Sequence, residues 1–239
     1  MPVSVALRLK SPLPDDPEAK RLGAAAFVLS LRERGVFAVN VLRAMELVPR
    51  DHFAPRRFAD LSRSDVALPL ACGQTMTSPA TVAAMLAALD VRPGHRVLEI
   101  GTGSGYVSAL LARMGADVQS VERYAVLAEG AESRLSVTGL GSAVAIACGD
   151  GLAEPWPEFR FDRILLNGAT LAIGANLTSR LVGGGRLVGA LASEGTPRLL
   201  TISREEDGRL YRTLGSPVRI PPLAAGLSGP FGARPATES

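Results

Sequence analysis

The residues best suited to chemistry lie in VLEIGTGSGY, residues 97–106, which sets Gly101, Gly103 and Gly105 at alternate positions. Glycines at such spacing let a ligand approach bare backbone where a strand turns into a helix. A dinucleotide fingerprint is G-x-G-x-x-G, whose third glycine would fall at 106, where this chain has Tyr106. Glu99 stands just before the turn, a placement that suits a zwitterionic ligand better than a phosphate. Glu122 follows Gly101 by 21 residues, from where a carboxylate can accept both hydroxyls of a ribose. Asp150, in the CGDG stretch, is placed to reach an adenine edge. Upstream, GQTMTSP brings two hydroxyls, Thr77 and Ser78, ahead of Pro79, the expected first residue of a helix.

These groups can act together only if the chain gathers them at one edge, and its hydrophobic pattern supplies a scaffold that does so. After Pro93-Gly94, strands are predicted over 96–100, 117–122, 143–148, 162–166 and 184–191, with helices over 106–114, 125–137 and 175–181. Two further strands follow over 199–204 and 210–214. Such alternation predicts an α/β fold, a doubly wound and mostly parallel sheet with helices on both faces. Three helices precede it: 16–34, with Leu22, Ala26, Leu29 and Leu31 as its apolar side; 38–48, with Val41, Leu42, Met45 and Val48; and one from Ser78-Pro79 to Leu89. The Pro- and charge-rich stretch over 48–70 predicts irregular chain crossing a surface. The expected organisation is an N-terminal helical extension with an acceptor-site loop over 1–90, an α/β domain over 91–223, and a loose tail over 224–239.

Composition narrows the function classes. At 47% hydrophobic residues the chain has ample material for a core, which excludes a disordered polymer. Cys72 and Cys148 alone exclude a disulfide scaffold or a Cys-rich zinc site and are expected to be small buried residues; with only His52 and His95 besides, no metal is expected. A net charge of +3 could suit nucleic acid, but lysine occurs only at Lys10 and Lys20, and the arginines are interspersed with 23 acids. Without a compact basic stripe, no nucleic-acid partner is expected. The longest uncharged run, 66–89, carries Pro69, Gly73, Gln74, Thr75, Thr77, Ser78 and Pro79 at its centre and is not expected to span a membrane. Arg8 and Lys10 break the N-terminal apolar stretch, so a secretory signal is not predicted; a cytoplasmic monomer is expected.

The ligand that fits these positions is S-adenosyl-L-methionine. Its amino-acid end is zwitterionic, its ribose would meet Glu122, and its adenine would meet Asp150. Strand, turn, helix and the two acids, in that order, predict a class I methyltransferase domain, which is Rossmann-like. The plainer alternative is that the glycines only turn the chain and the acids are solvated strand ends. On the ligand reading the cofactor-binding set is Thr75, Glu99, Gly101, Thr102, Gly103, Gly105, Glu122, Asp150 and Gly151.

Taken together, VPRDHFAP (48–55), LPLACGQTMTSPATVAAM (68–85), RVLEIGTGSGYVSALLAR (96–113) and VRIPPL (218–223) resemble the protein-L-isoaspartate O-methyltransferase family, in the same order over about residues 35 to 223. The resemblance implies methylation of the free carboxyl of L-isoaspartyl residues in damaged proteins and peptides. GQTMTSP looks like the family's Gly-Gln-Thr-Ile-Ser-x-Pro signature, so Thr77 falls where the family has its active-site serine. A carboxylate acceptor is already anionic at neutral pH and needs no general base; the site has only to hold one oxygen in line with the methyl group. Thr77 is therefore the expected catalytic residue, at a helix N-terminus whose free N–H groups favour an anion. The alternative is that Thr77 and Ser78 only cap that helix, with Ser78 the better cap.

One departure from the family stands out. Where it commonly shows Thr-Ala-Ala followed by Pro, this chain has Asn167-Gly168-Ala169-Thr170, expected to be a loop of the acceptor pocket. Asn167 is also not followed by the Pro-Pro-aromatic run of an adenine N6 methyltransferase. A related methyltransferase acting on another carboxylate, and a cofactor-binding module without catalysis, remain alternatives at this stage. Trp156 is assigned no role.

Overall fold

The computed structural model describes residues 17–153, 159–193 and 195–227. The expectations for residues 1–16, Trp156 and 228–239 fall outside the described residues. In chain order the helices are α1 (Pro17–Glu33), α2 (Val39–Leu47), α3 (Pro79–Leu89), α4 (Tyr106–Arg113), α5 (Ala125–Val137) and α6 (Ala175–Thr178). A two-stranded ribbon pairs β1 (Leu68–Pro69) with β2 (Thr75–Met76). The main sheet contains β3 (Arg96–Ile100), β4 (Asp117–Glu122), β5 (Val144–Cys148), β6 (Phe161–Thr170), β7 (Leu181–Leu191), β8 (Arg198–Arg204) and β9 (Leu210–Pro217). Its strand order is β5-β4-β3-β6-β7-β8-β9.

Strands β3 to β7 pair in parallel, whereas β7–β8 and β8–β9 are antiparallel. The connections into β8 and β9 are too short for the dozen or so residues that a parallel crossover requires, so hairpins are the only solution. From β5 the chain returns to the far side of β3 to enter β6, which makes the carboxyl ends of β3 and β6 the switch point of the sheet.

Period-2 alternation divides the strands between two cores. Val97, Val118, Leu165 and Val188 share one apolar cluster with Leu31, Met45, Leu86 and Leu110, so α1 to α4 pack on that face. Leu98, Ile164, Leu166 and Leu187 point the other way and join Leu177 of α6. The N-terminal helices thus share a core with the sheet.

Several local expectations are corrected. α1 buries Phe27 and Leu31, while Leu22 and Leu29 are exposed, so its apolar side is rotated from the expected one. The helix expected over 175–181 is a single turn, because Leu181 already pairs with Phe161 at the start of β7. The 48–70 crossing forms two 3₁₀ turns, Arg50–His52 and Arg56–Leu61, and buries both Arg50 and Phe53. Cys72 and Cys148 are exposed rather than buried; Cys72 lies in a left-handed turn (φ 56°), and Cys148 ends the edge strand β5. The uncharged run over 66–89 folds into β1, β2 and α3, and no described helix is long and apolar enough to cross a membrane.

A polar network is buried within this apolar frame. Glu99 Oε2 accepts hydrogen bonds from the Ser108 hydroxyl and, at 2.8 Å, from the Ser120 hydroxyl. Because the one Ser120 proton goes to Glu99, the 2.6 Å contact between Thr102 and Ser120 has Thr102 as donor. β3, β4, α4 and the glycine turn are thereby tied at one point. Burial pushes the Glu99 carboxyl up from 4.5 to about 7; the two serine hydrogen bonds oppose the shift, and Glu122 adds to it. Between these two values the folded state holds the proton more tightly than the unfolded chain, so stability falls as pH rises through that window. Glu99→Gln, which has no charge to desolvate, should therefore gain on the wild type by about 2–3 kcal/mol between pH 5 and pH 8. Denaturant titrations of both proteins at the two pH values measure this; a gap independent of pH would contradict it.

Candidate functional site

The glycine turn leaves β3 at the switch point, and its backbone is held from β4. Gly101 N–H donates to Val121 O at 2.8 Å, and Gly103 N–H donates to Glu122 Oε2 at 2.8 Å. Gly101 has φ 94°, and a Cβ there would stand 3.1 Å from Leu223 and 3.4 Å from the Asn167 carbonyl, so both backbone conformation and space call for glycine. Gly105 has φ 85°, and a Cβ there would press on Ala131 of α5 at 3.0 Å. This third glycine lets two helices approach.

Above the turn lies a pocket at the carboxyl ends of β3 and β4. Six of the expected residues line it: Thr75, Gly101, Gly103, Glu122, Asp150 and Gly151. Three do not. Glu99 is fully buried in the network below the turn, Thr102 is turned onto Ser120, and Gly105 faces α5. The zwitterion partner expected at Glu99 is thus withdrawn, because its position within the strand directs the side chain into the protein.

Glu122 is 5% exposed, and its second oxygen accepts the Tyr124 N–H at 3.1 Å. One backbone donor on each oxygen fixes the carboxylate plane while leaving lone pairs for a ligand. Asp150 is held similarly: Oδ1 accepts from Leu152 N–H at 2.9 Å, and Oδ2 accepts from Gly226 N–H. Gly226 belongs to the segment expected to be a loose tail. Residues 224–227 instead continue a strap that begins at β9: Ala169 N–H donates to Pro221 O at 2.8 Å, and Leu223 N–H donates to Ala169 O at 2.7 Å. Pro221, Pro222, Leu223 and Ala224 close one wall of the cavity.

A smaller cleft adjoins it, lined by Leu70, Met76, Thr77, Thr102, Ser104 and Tyr106 among others. Thr75, Gly103 and Asn167 belong to the walls of both. Thr77 is 6% exposed, and among the described residues no hydrogen bond uses its hydroxyl. The cap of α3 comes from elsewhere. Asp65 Oδ1 accepts the Ala80 N–H at 2.8 Å, while the Ser78 hydroxyl turns to Thr81 at 3.2 Å and makes no cap bond. Pro79 has no N–H, and Asp65 is itself an anion, so this helix N-terminus offers an incoming anion less than the sequence suggests.

The positive charge near Thr77 comes instead from Arg50, which is 3% exposed. Its guanidinium donates at 3.1 Å to each of three backbone carbonyls, those of Ser62, Val66 and Thr77. Burial lowers its pKa, with the Tyr106 hydroxyl and Asp65 opposing the shift, but guanidinium remains charged in proteins. Arg50 thus pins the Thr77 backbone and sets a buried cation behind it.

Sequence reasoning assigned no site role to Gln74, Arg123, Tyr124 or the 221–224 strap, all of which line the larger cavity. Gln74 and Pro221-Pro222-Leu223 lie inside the motifs that carry the family resemblance, which was the available signal. Asn167 is also relocated: residues 167–170 are strand, not loop. Leu165 pairs with Val188 and Ala169 with Ala190, so β6 takes four steps where β7 takes two. The resulting bulge aims Asn167 at the turn, where its Nδ2 donates to Gly101 O at 3.0 Å.

Known proteins are similar to this chain in sequence and fold. The family model for protein-L-isoaspartate(D-aspartate) O-methyltransferase matches residues 23–227. A protein-L-isoaspartate O-methyltransferase 2 from Rhodopseudomonas palustris (strain HaA2) is 43% identical over 203 residues, covering 84% of this chain and 93% of the relative. A protein-L-isoaspartate O-methyltransferase from Azorhizobium caulinodans is 40% identical over 213 residues, covering 89% and 98%. Among solved structures, a protein-L-isoaspartate O-methyltransferase superposes with a TM-score of 0.73 at 23% identity, over 85% of this chain and 67% of the other. A Plasmodium falciparum protein assigned to the same methyltransferases, in complex with S-adenosyl-L-homocysteine, gives 0.74 at 19% identity, over 83% and 97%. The structural likenesses establish the fold, and the match across the cavity, the cleft and the strap establishes more: this chain belongs to the protein-L-isoaspartate(D-aspartate) O-methyltransferase family.

Proposed function

We propose that this protein transfers a methyl group from S-adenosylmethionine to the free carboxyl of L-isoaspartyl residues in damaged proteins and peptides. The observation that carries the reading is the juxtaposition of two cavities that share Thr75, Gly103 and Asn167, one suited to a nucleoside and one opening on Thr77. The names of the relatives supply the acceptor class.

The cofactor fits the residues present. Glu122, with both oxygens anchored by backbone N–H groups, is set to receive the two ribose hydroxyls; Asp150 and Gly151 lie toward the adenine end, and Gly101 and Gly103 leave backbone bare for the amino-acid end. When bound, S-adenosylmethionine supplies an electrophilic methyl group on a sulfonium. The protein's part is orientation and electrostatics. The acceptor carboxylate arrives ionised, so no residue has to remove a proton. The Thr77 hydroxyl donates to one carboxylate oxygen and leaves the other for in-line attack, which is the near-attack geometry that lowers the barrier. Arg50 favours the anion from behind Thr77, in a site where low dielectric strengthens the attraction.

Labelled S-adenosylmethionine offered with paired peptides differing only in Asp or isoAsp tests the reading directly: label should enter the isoAsp peptide alone. Removing charge-assisted hydrogen bonds to the ribose by Glu122→Ala should weaken S-adenosylhomocysteine binding by about 1–3 kcal/mol. An unchanged calorimetric affinity would take the ribose role from Glu122.

Thr77→Val is nearly isosteric but lacks the hydroxyl. It should lower turnover by the value of one hydrogen bond to a charged group, about 1.5–3 kcal/mol or roughly one to two decades, with cofactor affinity little changed. Thr77→Ser should keep most of the activity. Melting temperature and turnover measured on the same preparations separate orientation from helix capping. A Val variant that turns over like the wild type would remove Thr77 from the reaction.

A further inference from the structure

Helix α1 is apolar on two sides. Residues 22–31, LGAAAFVLSL, carry no charge. Phe27 and Leu31 turn one side into the core, which fixes the rotation of the helix. Two contacts from the 48–70 crossing hold the segment further: Arg34, just beyond α1, meets Asp65 at 3.2 Å, and the Arg63 guanidinium fills the space where a Cβ on Gly23 would stand. The opposite side presents Leu22, Ala25, Ala26 and Leu29, at the i, i+3, i+4, i+7 spacing by which a helix packs on a neighbour. Leu22 is 65% and Leu29 58% exposed, and both alanines are exposed as well. A surface helix needs one apolar face for its own core; a second, contiguous and turned to solvent, marks an interaction surface.

The stripe is its own complement. Leu22 and Leu29 stand equally far from the midpoint between Ala25 and Ala26. A second copy of α1 laid antiparallel therefore sets each leucine against the other leucine of its neighbour. The alanines of both copies meet at the two-fold axis, where small side chains let the helices approach closely. Further out, Glu18 lies in the first turn of α1 and Arg32 in the last, and both are exposed. At about 100° per residue they fall on the same flank of the stripe, with Glu33 on the other. The antiparallel arrangement thus brings Glu18 of each copy to Arg32 of the other and opposes the helix dipoles. A parallel one would set Glu18 on Glu18 and Arg32 on Arg32. We propose that α1 is a self-association surface, whose stripe of Leu22, Ala25, Ala26 and Leu29 packs antiparallel on the same stripe of a second copy to form a two-fold dimer. A dimer thereby takes the place of the expected monomer. None of the four residues lines the cofactor pocket or the acceptor cleft, so the proposal stands apart from the methyl-transfer reading.

One helix pair is small for a specific interface, so the dimer should be weak and concentration-dependent. Equilibrium sedimentation of the full chain, from about 1 µM to about 200 µM, reads this: the weight-average mass should rise from one chain toward two. Ala25→Glu puts like charges at the axis, on an exposed helical position that accepts glutamate. It should weaken association about tenfold or more and leave the melting temperature of the monomer unchanged. Arg32→Glu should weaken association too, and adding Glu18→Arg to it should restore the dimer to within about threefold of wild type, a recovery specific to the antiparallel pairing. A wild type that remains one chain across the range would overturn the proposal; a melting temperature then lowered by Ala25→Glu would show the stripe to be covered from within its own chain. A dimer untouched by Ala25→Glu would overturn it by placing the contact elsewhere. A dimer broken by Ala25→Glu but indifferent to the charge exchange would overturn the antiparallel arrangement.

Discussion

The site depends on how the chain leaves β3. Its turn must expose backbone toward solvent while remaining rigid, and β4 supplies the rigidity. Val121 O takes the Gly101 N–H, Glu122 takes the Gly103 N–H, and Ser120 takes the Thr102 hydroxyl. Three consecutive residues of one strand thus hold three consecutive residues of the turn. Ser120 and Glu122 share one face of β4, and position along the strand assigns the parts: Ser120 joins the buried network, and Glu122, two residues on, ends the strand at the cavity. Beneath the turn, Glu99 draws Ser108 and Ser120 together at the expense of a desolvated carboxyl. Rigidity where the ligand will lie is obtained by burying a polar network where it will not.

The second half of the site is made by residues distant in sequence. The 48–70 crossing has little regular structure, and what orders it is Arg50, whose guanidinium gathers carbonyls from Ser62, Val66 and Thr77. Asp65, on the same crossing, caps α3 and also meets Arg34 of the segment after α1 at 3.2 Å. The segment that carries Thr77 is therefore positioned from outside, by one buried cation and one capping anion. That division also sets the local field. With the helix N-terminus occupied by Asp65, the attraction for an anionic acceptor falls to Arg50 and to the Thr77 hydroxyl.

The cavity is closed by chain that follows the last strand. Residues 221–226 return across the sheet edge, bond to Ala169 on β6 and reach Asp150 through Gly226. Three walls of one pocket come from the turn after β3, the bulge in β6 and this strap, and the strap is tied to β6 by backbone groups that side-chain identity does not announce.

The sequence by itself determined the order of elements, the glycine turn between β3 and α4, the carboxylate at the end of β4 and the family signature around Thr77. These are local properties: apolar periodicity, glycine spacing and a proline at a helix start act over a few residues and can be read along the chain. Tertiary structure decided the rest. It buried Glu99 under α4 and set Glu122 beside the cavity, because the two share a face of the sheet and only Glu122 stands at the carboxyl end of its strand. It extended β6 through Asn167 and bulged it, because pairing with β7 outweighs local loop character. It made Asp65 rather than Ser78 the cap of α3, since a long-range carboxylate reached the free N–H. It kept Arg50, which in sequence is one arginine among many, as the buried cation behind Thr77, because only the folded chain brings three carbonyls around one guanidinium.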